Sequence, residues 1–158
     1  MHCNFEFYLL NFELVLVLTF LGMRVIVKGK ESFALKVLII EDEKAMSDLI
    51  AIKFKVEGFE VEQAGSLAGA QEKLASSGPY DAILTDYLLP DGDLTEFLTK
   101  LRANPQLASL PIVVMTNYIE DINQQQLQSL GVSEVLVKYQ TVPAQMVDKI
   151  KKLVNPSG

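Results

Sequence analysis

Asp81-Ala82-Ile83-Leu84-Thr85-Asp86-Tyr87-Leu88-Leu89-Pro90-Asp91-Gly92-Asp93 is a short apolar run that ends in a carboxylate and then turns. A run of this length flanked by turn residues reads as a buried strand, and Pro90-Asp91-Gly92 has the composition of a turn. Asp86 then falls at the end of a strand, and other apolar runs end in the same way. Val37-Leu38-Ile39-Ile40 is followed by the acidic pair Glu41-Asp42, Val113-Val114-Met115 by Thr116, and Val135-Leu136-Val137 by Lys138. In a parallel α/β sheet all of these residues meet at the carboxyl edge, where such sheets bind their ligands. A carboxylate, two acidic neighbours, a hydroxyl and an ammonium gathered there suit a metal ion and a phosphoryl group.

Outward from this stretch the chain alternates between strand and helix signals. Strands are predicted over Leu35–Ile40, Phe59–Gln63, Ala82–Thr85, Leu110–Met115 and Val135–Val137. Helices are predicted over Glu43–Glu57, Ser66–Ser77, Leu94–Ala103, Asp121–Leu130 and Pro143–Val154. Gly58, Gly78-Pro79, Asn104-Pro105 and Gly131 stop the first four helices. Ser66 caps one helix start, and Pro143 stands in the first turn of the last. Five strand–helix units imply a doubly wound, five-stranded parallel sheet with helices on both faces.

The 158 residues carry a formal net charge of -6, which disfavours nucleic-acid binding through phosphate contacts. The cluster Lys149, Lys151 and Lys152 reads as the last turn of a helix, where cations suit the dipole. Cys3 is the single cysteine, so no internal disulfide is available. His2 is the single histidine, and both lie at the terminus. A His/Cys metal site or a Ser-His-Asp triad in the folded body is thereby excluded.

Residues 1–34 read differently from the rest. The apolar stretch from about Phe7 to Val27 is long enough to span a bilayer, but Asn11 and Glu13 interrupt it. It lacks the basic leading region and cleavage site of a secretory signal. Three readings are a marginal membrane anchor, an extra strand or hairpin, and translated sequence upstream of a natural start at Met23. The third is adopted, because the domain signal begins only at about Leu35. The expected organisation is an apolar extension over residues 1–34, one domain over 35–154 and a short tail over 155–158, in a cytoplasmic protein.

Each candidate residue also has a plainer role. Asp86 suits a turn-opening carboxylate, Asp42 a helix N-cap, Thr116 a hydroxyl bonded to nearby backbone, and Lys138 a snorkelling surface lysine. Together they suit a different chemistry. Hard cations such as Mg²⁺ take oxygen ligands and need only one or two carboxylates beside phosphate. A cation also relieves the repulsion among crowded carboxylates. Thr116 would donate to a phosphoryl oxygen, and Lys138 would place a point charge on it.

Val37-Leu38-Ile39-Ile40-Glu41-Asp42-Glu43 resembles the opening of two-component response-regulator receiver domains, and Leu84-Thr85-Asp86-Tyr87-Leu88-Leu89-Pro90-Asp91 resembles their phosphoacceptor segment. Thr116 and Lys138 fall at the family's Thr/Ser and Lys positions, and the resemblance covers about Leu35 to Val154. It implies a flavodoxin-like fold and phosphoryl transfer to Asp86 from a histidine kinase, a phosphotransfer protein or a small phosphodonor. It also implies Mg²⁺ held by Glu41, Asp42, Asp86 and the backbone carbonyl of Leu88. Thr116 would act as the switch hydroxyl and Lys138 as the phosphate contact. The chain would be a phosphoacceptor rather than a turnover enzyme, signalling through protein contacts, with homodimerisation through its last two helices left open.

The chain departs from the family at several places. Tyr139 replaces the usual proline after Lys138, and Val135 stands where many relatives have an aromatic that couples to the switch hydroxyl. Tyr118 and Tyr139 read as surface aromatics rather than substitutes for it. Leu94 replaces a glycine, and Asn117 a small residue beside the phosphosite. Competing readings are a pseudo-receiver acting as a phosphorylation-independent interaction module, and a small phosphatase or flavodoxin-like cofactor domain. The first is opposed by the intact acidic pair, Asp86 and Lys138. The second lacks a glycine-rich phosphate cradle, since Glu41-Asp42-Glu43-Lys44 occupies the first loop.

Overall fold

The computed structural model describes the backbone of residues 4–10, 13–20, 23–29 and 34–155, and the side chains of 34–155 other than that of residue 121. The chain divides into two compact units, Met1–Phe33 and Ala34–Gly158.

In the first unit, β1 (Asn4–Leu10), β2 (Glu13–Phe20) and β3 (Met23–Gly29) form an antiparallel meander in the order β1-β2-β3. Phe7, Leu16 and Val27 are partners across its three strands. Of the three readings of residues 1–34, the strand reading matches this backbone, and the meander is a sheet of its own. No helix among the described residues is long and apolar enough to cross a membrane.

The second unit alternates strand and helix: β4 (Lys36–Ile40), α1 (Lys44–Val56), β5 (Glu60–Ala64), α2 (Leu67–Ser76), β6 (Ala82–Asp86), α3 (Leu94–Ala103), β7 (Ile112–Thr116), α4 (Gln124–Ser129), β8 (Glu134–Val137) and α5 (Pro143–Val154). Its five strands are all parallel, in the order β5-β4-β6-β7-β8. The chain runs from β4 outward to β5, then returns past β4 to β6. The winding direction therefore reverses between β4 and β6, which makes the crevice beyond Ile40 and Asp86 the switch point.

The central strands β4, β6 and β7 are almost continuously apolar because both faces of the sheet are covered there, whereas the edge strand β5 reads Glu60-Val61-Glu62-Gln63-Ala64. Leu38, Ile40, Ile83, Ile112 and Val114 pack with Leu67, Ala70, Leu94, Phe97, Leu98, Leu101 and Leu127 of α2, α3 and α4. Val37, Ile39, Leu84, Val113 and Met115 pack with Ile50, Ala51, Phe54, Met146, Val147 and Ile150 of α1 and α5. Alternation along each strand thus feeds two cores at once.

Element ends differ from the sequence expectations where a local bond decides them. Asn123 accepts from the Gln126 amide at 3.1 Å, so α4 begins at Gln124 rather than Asp121, and Ile119–Asp121 forms a single 3₁₀ turn. The fourth strand begins at Ile112 rather than Leu110, because Leu110 closes a turn onto the Leu107 carbonyl at 3.1 Å. Glu43, not Asp42, is the N-cap of α1, and it makes no side-chain cap bond. The capping role open to Asp42 is therefore not used.

Candidate functional site

The ladder register assembles the site. Ile40 pairs with Thr85, Asp86 with Met115, and Thr116 with Val137. Glu41, Asp86, Thr116 and Lys138 are thereby brought to the carboxyl ends of four neighbouring strands. The amide of Glu41 donates to the Ala64 carbonyl at 2.9 Å, and the amide of Tyr87 to the Met115 carbonyl at 2.7 Å. Backbone on both sides of the crevice is therefore held by sheet-like bonds beyond the ladder itself.

Glu41, Asp42 and Asp86 each offer a carboxylate oxygen, and these oxygens lie within 4.8 Å of one another. Glu41 and Asp86 are buried at 2% and 7% exposure, whereas Asp42 is exposed. Lys138 closes the cluster: its Nζ lies 2.7 Å from Asp86 Oδ2 and 2.7 Å from Glu41 Oε2. The contact to Asp86 is a directed hydrogen bond. The contact to Glu41 is an ion pair by distance alone, which leaves Glu41 Oε2 buried without an aligned donor. Glu41 Oε1 accepts from the Glu43 amide at 3.3 Å.

Burial pushes the Glu41 carboxyl above its ordinary pKa, and Lys138 only partly offsets this. Burial opposes the charge on Lys138 as well, but the hydrogen bond to Asp86 and the close ion pair with Glu41 outweigh it and hold the ammonium above its ordinary pKa. One ammonium thus serves two buried carboxylates, with a third carboxylate at the rim. An all-oxygen donor set with an orphaned buried oxygen and an excess of negative charge fits a hard divalent cation. A cavity of about 240 Å³ opens beside it, lined by Glu41, Asp42, Lys44, Ser47, Gln63 and Gly65 among others.

Thr116 is buried at the end of β7, but its hydroxyl bonds neither Asp86 nor Lys138. It donates to the Tyr118 carbonyl at 3.0 Å and accepts from the Tyr118 amide at 3.2 Å. The local backbone role is therefore the one occupied here. The Leu88 side chain is exposed, in the loop after Asp86. Val135 is half-buried against the α2–α3–α4 core, Tyr118 and Tyr139 are exposed, and Leu94 is buried as a core residue.

Two acidic residues in the turn after Asp86 have roles that sequence reading missed. Asp93 caps α3, accepting from the amides of Thr95 and Glu96 at 2.6 and 3.3 Å. Asp91 reaches α2: its Oδ1 accepts from the Leu67 amide and its Oδ2 from the Ala68 amide, each at 2.9 Å. An Asp just before an apolar run signals a cap such as Asp93. Nothing local signals Asp91, whose partners lie 24 and 23 positions earlier.

The family model of the response regulator receiver domain matches residues 37–151. The phosphate regulon transcriptional regulatory protein PhoB of Rhizobium meliloti is 28% identical over 119 residues, covering 75% of this chain and 52% of that protein. The transcriptional regulatory protein SrrA of Staphylococcus aureus is 31% identical over 119 residues, covering 75% of this chain and 47% of that protein. The chain thus spans about half the length of these curated relatives. Among solved structures, the chemotaxis response regulator CheY4 of Vibrio cholerae superposes with a TM-score of 0.70 at 23% identity, over 77% of this chain and 99% of that one. The phosphorylated cyanobacterial phytochrome response regulator RcpA superposes with a TM-score of 0.67 at 22% identity, over 80% of this chain and 98% of that one. These structures share its flavodoxin-like fold. The chain belongs to the response regulator receiver domain family, a signalling module of two-component systems rather than a turnover enzyme.

Proposed function

We propose that Asp86 is the phosphoacceptor of a Mg²⁺-dependent phosphorelay. The observation that carries this reading is the convergence of Glu41, Asp42 and Asp86 with Lys138 at the switch point of the sheet. A carboxylate oxygen of Asp86 attacks phosphorus of a phosphohistidine or a small acyl phosphate. The bond from phosphorus to the donor nitrogen or oxygen breaks, its electron pair stays with the donor, and an aspartyl phosphate forms. Glu41, Asp42, Asp86 and the Leu88 carbonyl would hold Mg²⁺, which when bound neutralises phosphoryl oxygens. Lys138 leaves its ion pairs with the carboxylates and places its ammonium on the transferred group, a pre-positioned charge where charge develops.

Thr116 gives up its bonds to Tyr118 and donates to the phosphoryl group. That exchange frees the backbone of the loop ahead of α4, so a local charge biases a wider face of the fold. The donor is a histidine kinase or a phosphotransfer protein, and the output passes to a protein effector.

Incubation with acetyl phosphate, followed by intact mass, tests the reading. The wild type gains one phosphoryl group with Mg²⁺ and none in EDTA, and Asp86→Asn gains none in either. A wild type that never gains the group is the behaviour of a phosphorylation-independent interaction module.

A further inference from the structure

Asp91 joins two elements that the sheet keeps apart. It belongs to the turn after Asp86, in which Leu89 and Gly92 form an isolated antiparallel bridge around Pro90-Asp91. Its carboxylate spans the first two residues of α2, with one oxygen on each amide at 2.9 Å. Both amides are orphan donors of the first helical turn, so the carboxylate meets bonding capacity and a favourable dipole together. These two bonds, the Ala68 amide foremost, hold the Asp91 carboxyl below its ordinary pKa.

Ser66 caps the same helix separately, accepting from the Gly69 amide at 3.1 Å. Asp91 is therefore not the only cap of α2, and its two bonds also fix the turn. The fit is close: a Cβ on Gly92 would come within 3.3 Å of the Leu67 side chain. Between Asp86, fixed in β6, and Asp91, fixed on α2, lie only Tyr87, Leu88, Leu89 and Pro90. That short span, pinned at both ends, contains the Leu88 carbonyl.

We propose that Asp91 is a positioning residue for the cation site, holding the turn after Asp86 against the N-terminus of α2. This rests on the phosphoacceptor reading of that site. Residues that orient ligands from outside the coordination sphere typically change metal affinity by 10–100-fold when removed.

The test is Mg²⁺ calorimetry on the full chain, with the Mg²⁺ dependence of phosphorylation by acetyl phosphate alongside. Asp91→Ala weakens Mg²⁺ binding on the order of tenfold, and its phosphorylation rate recovers at saturating Mg²⁺. Asp91→Asn, which keeps a capping acceptor, restores most of the affinity. Ser66→Ala removes the other cap of α2 and leaves Mg²⁺ affinity unchanged. The proposal is overturned if Asp91→Ala binds Mg²⁺ like the wild type, or if Ser66→Ala weakens binding as much. A wild type that binds no Mg²⁺ overturns the phosphoacceptor reading as well, and the two failures are thereby told apart.

Discussion

Lys138 stands between Glu41 and Asp86, 2.7 Å from each, and Asp42 belongs to the same carboxylate cluster. Glu41 bears the cost of this arrangement. Burial raises its pKa above the ordinary value of 4.5, so the folded chain holds that proton more tightly than the unfolded chain. The stability Glu41 contributes is present below its unfolded pKa and is lost as pH rises through its folded value. Glu41→Gln cannot ionise. It should raise the urea midpoint above that of the wild type at pH 7, with a gap that narrows as pH falls toward 4.5, the ordinary value. The same variant should lose the stabilisation by Mg²⁺ that binding to the native state alone confers, about 1.4 kcal/mol at ten times Kd. Paired urea melts at the two pH values, with and without Mg²⁺, read both effects. A variant less stable than the wild type at pH 7 would contradict the burial argument.

Among the elements, one side chain links the segment after α3 to the end of α4. Arg102 of α3 donates to the carbonyls of Leu107, Leu110, Leu130 and Gly131 at 2.8–2.9 Å, tying the end of α3 to the end of α4. Gly131 is constrained twice. Its φ is +75°, and an added Cβ would lie 2.9 Å from Arg102 Nε. Gly78 has a similar φ of +78° but nothing within 4 Å of such a Cβ. Gly78→Ala should cost only the backbone penalty, about 1–2 kcal/mol. Gly131→Ala should cost more, because Arg102 must also give up carbonyl bonds. Equal losses of unfolding free energy would show that the guanidinium yields without cost.

Much of this level was legible in the sequence. The runs Val37–Ile40 and Ala82–Leu84 are apolar without alternation because both sheet faces are covered, and that pattern read directly as parallel strands. The start of β7 was not, since Leu110-Pro111 is as apolar as the ladder it precedes. The convergence of Glu41, Asp42, Asp86 and Lys138 was legible because each stands at or just after a strand end and sheet order does the rest. The backbone bond of Thr116 was legible as its plainer role, but the reach of Asp91 was not, since it depends on a contact 24 positions away.

Among the described residues, both apolar cores and every candidate site residue lie within the unit Ala34–Gly158, and the meander of β1, β2 and β3 forms its own sheet. A chain beginning at Ala34 behind a start methionine should therefore melt cooperatively and bind Mg²⁺ with unchanged affinity. Calorimetry on both lengths checks this, and a large loss of affinity on truncation would place part of the site in the first unit. In the proposed phosphorelay, sheet order makes Asp86 the nucleophile. Borohydride reduces an aspartyl phosphate to homoserine, so treatment of the phosphorylated chain followed by peptide mapping locates the acceptor. Homoserine at position 86 alone is the expected result; homoserine at position 42, or none at all in a chain that has gained a phosphoryl group, would contradict the account.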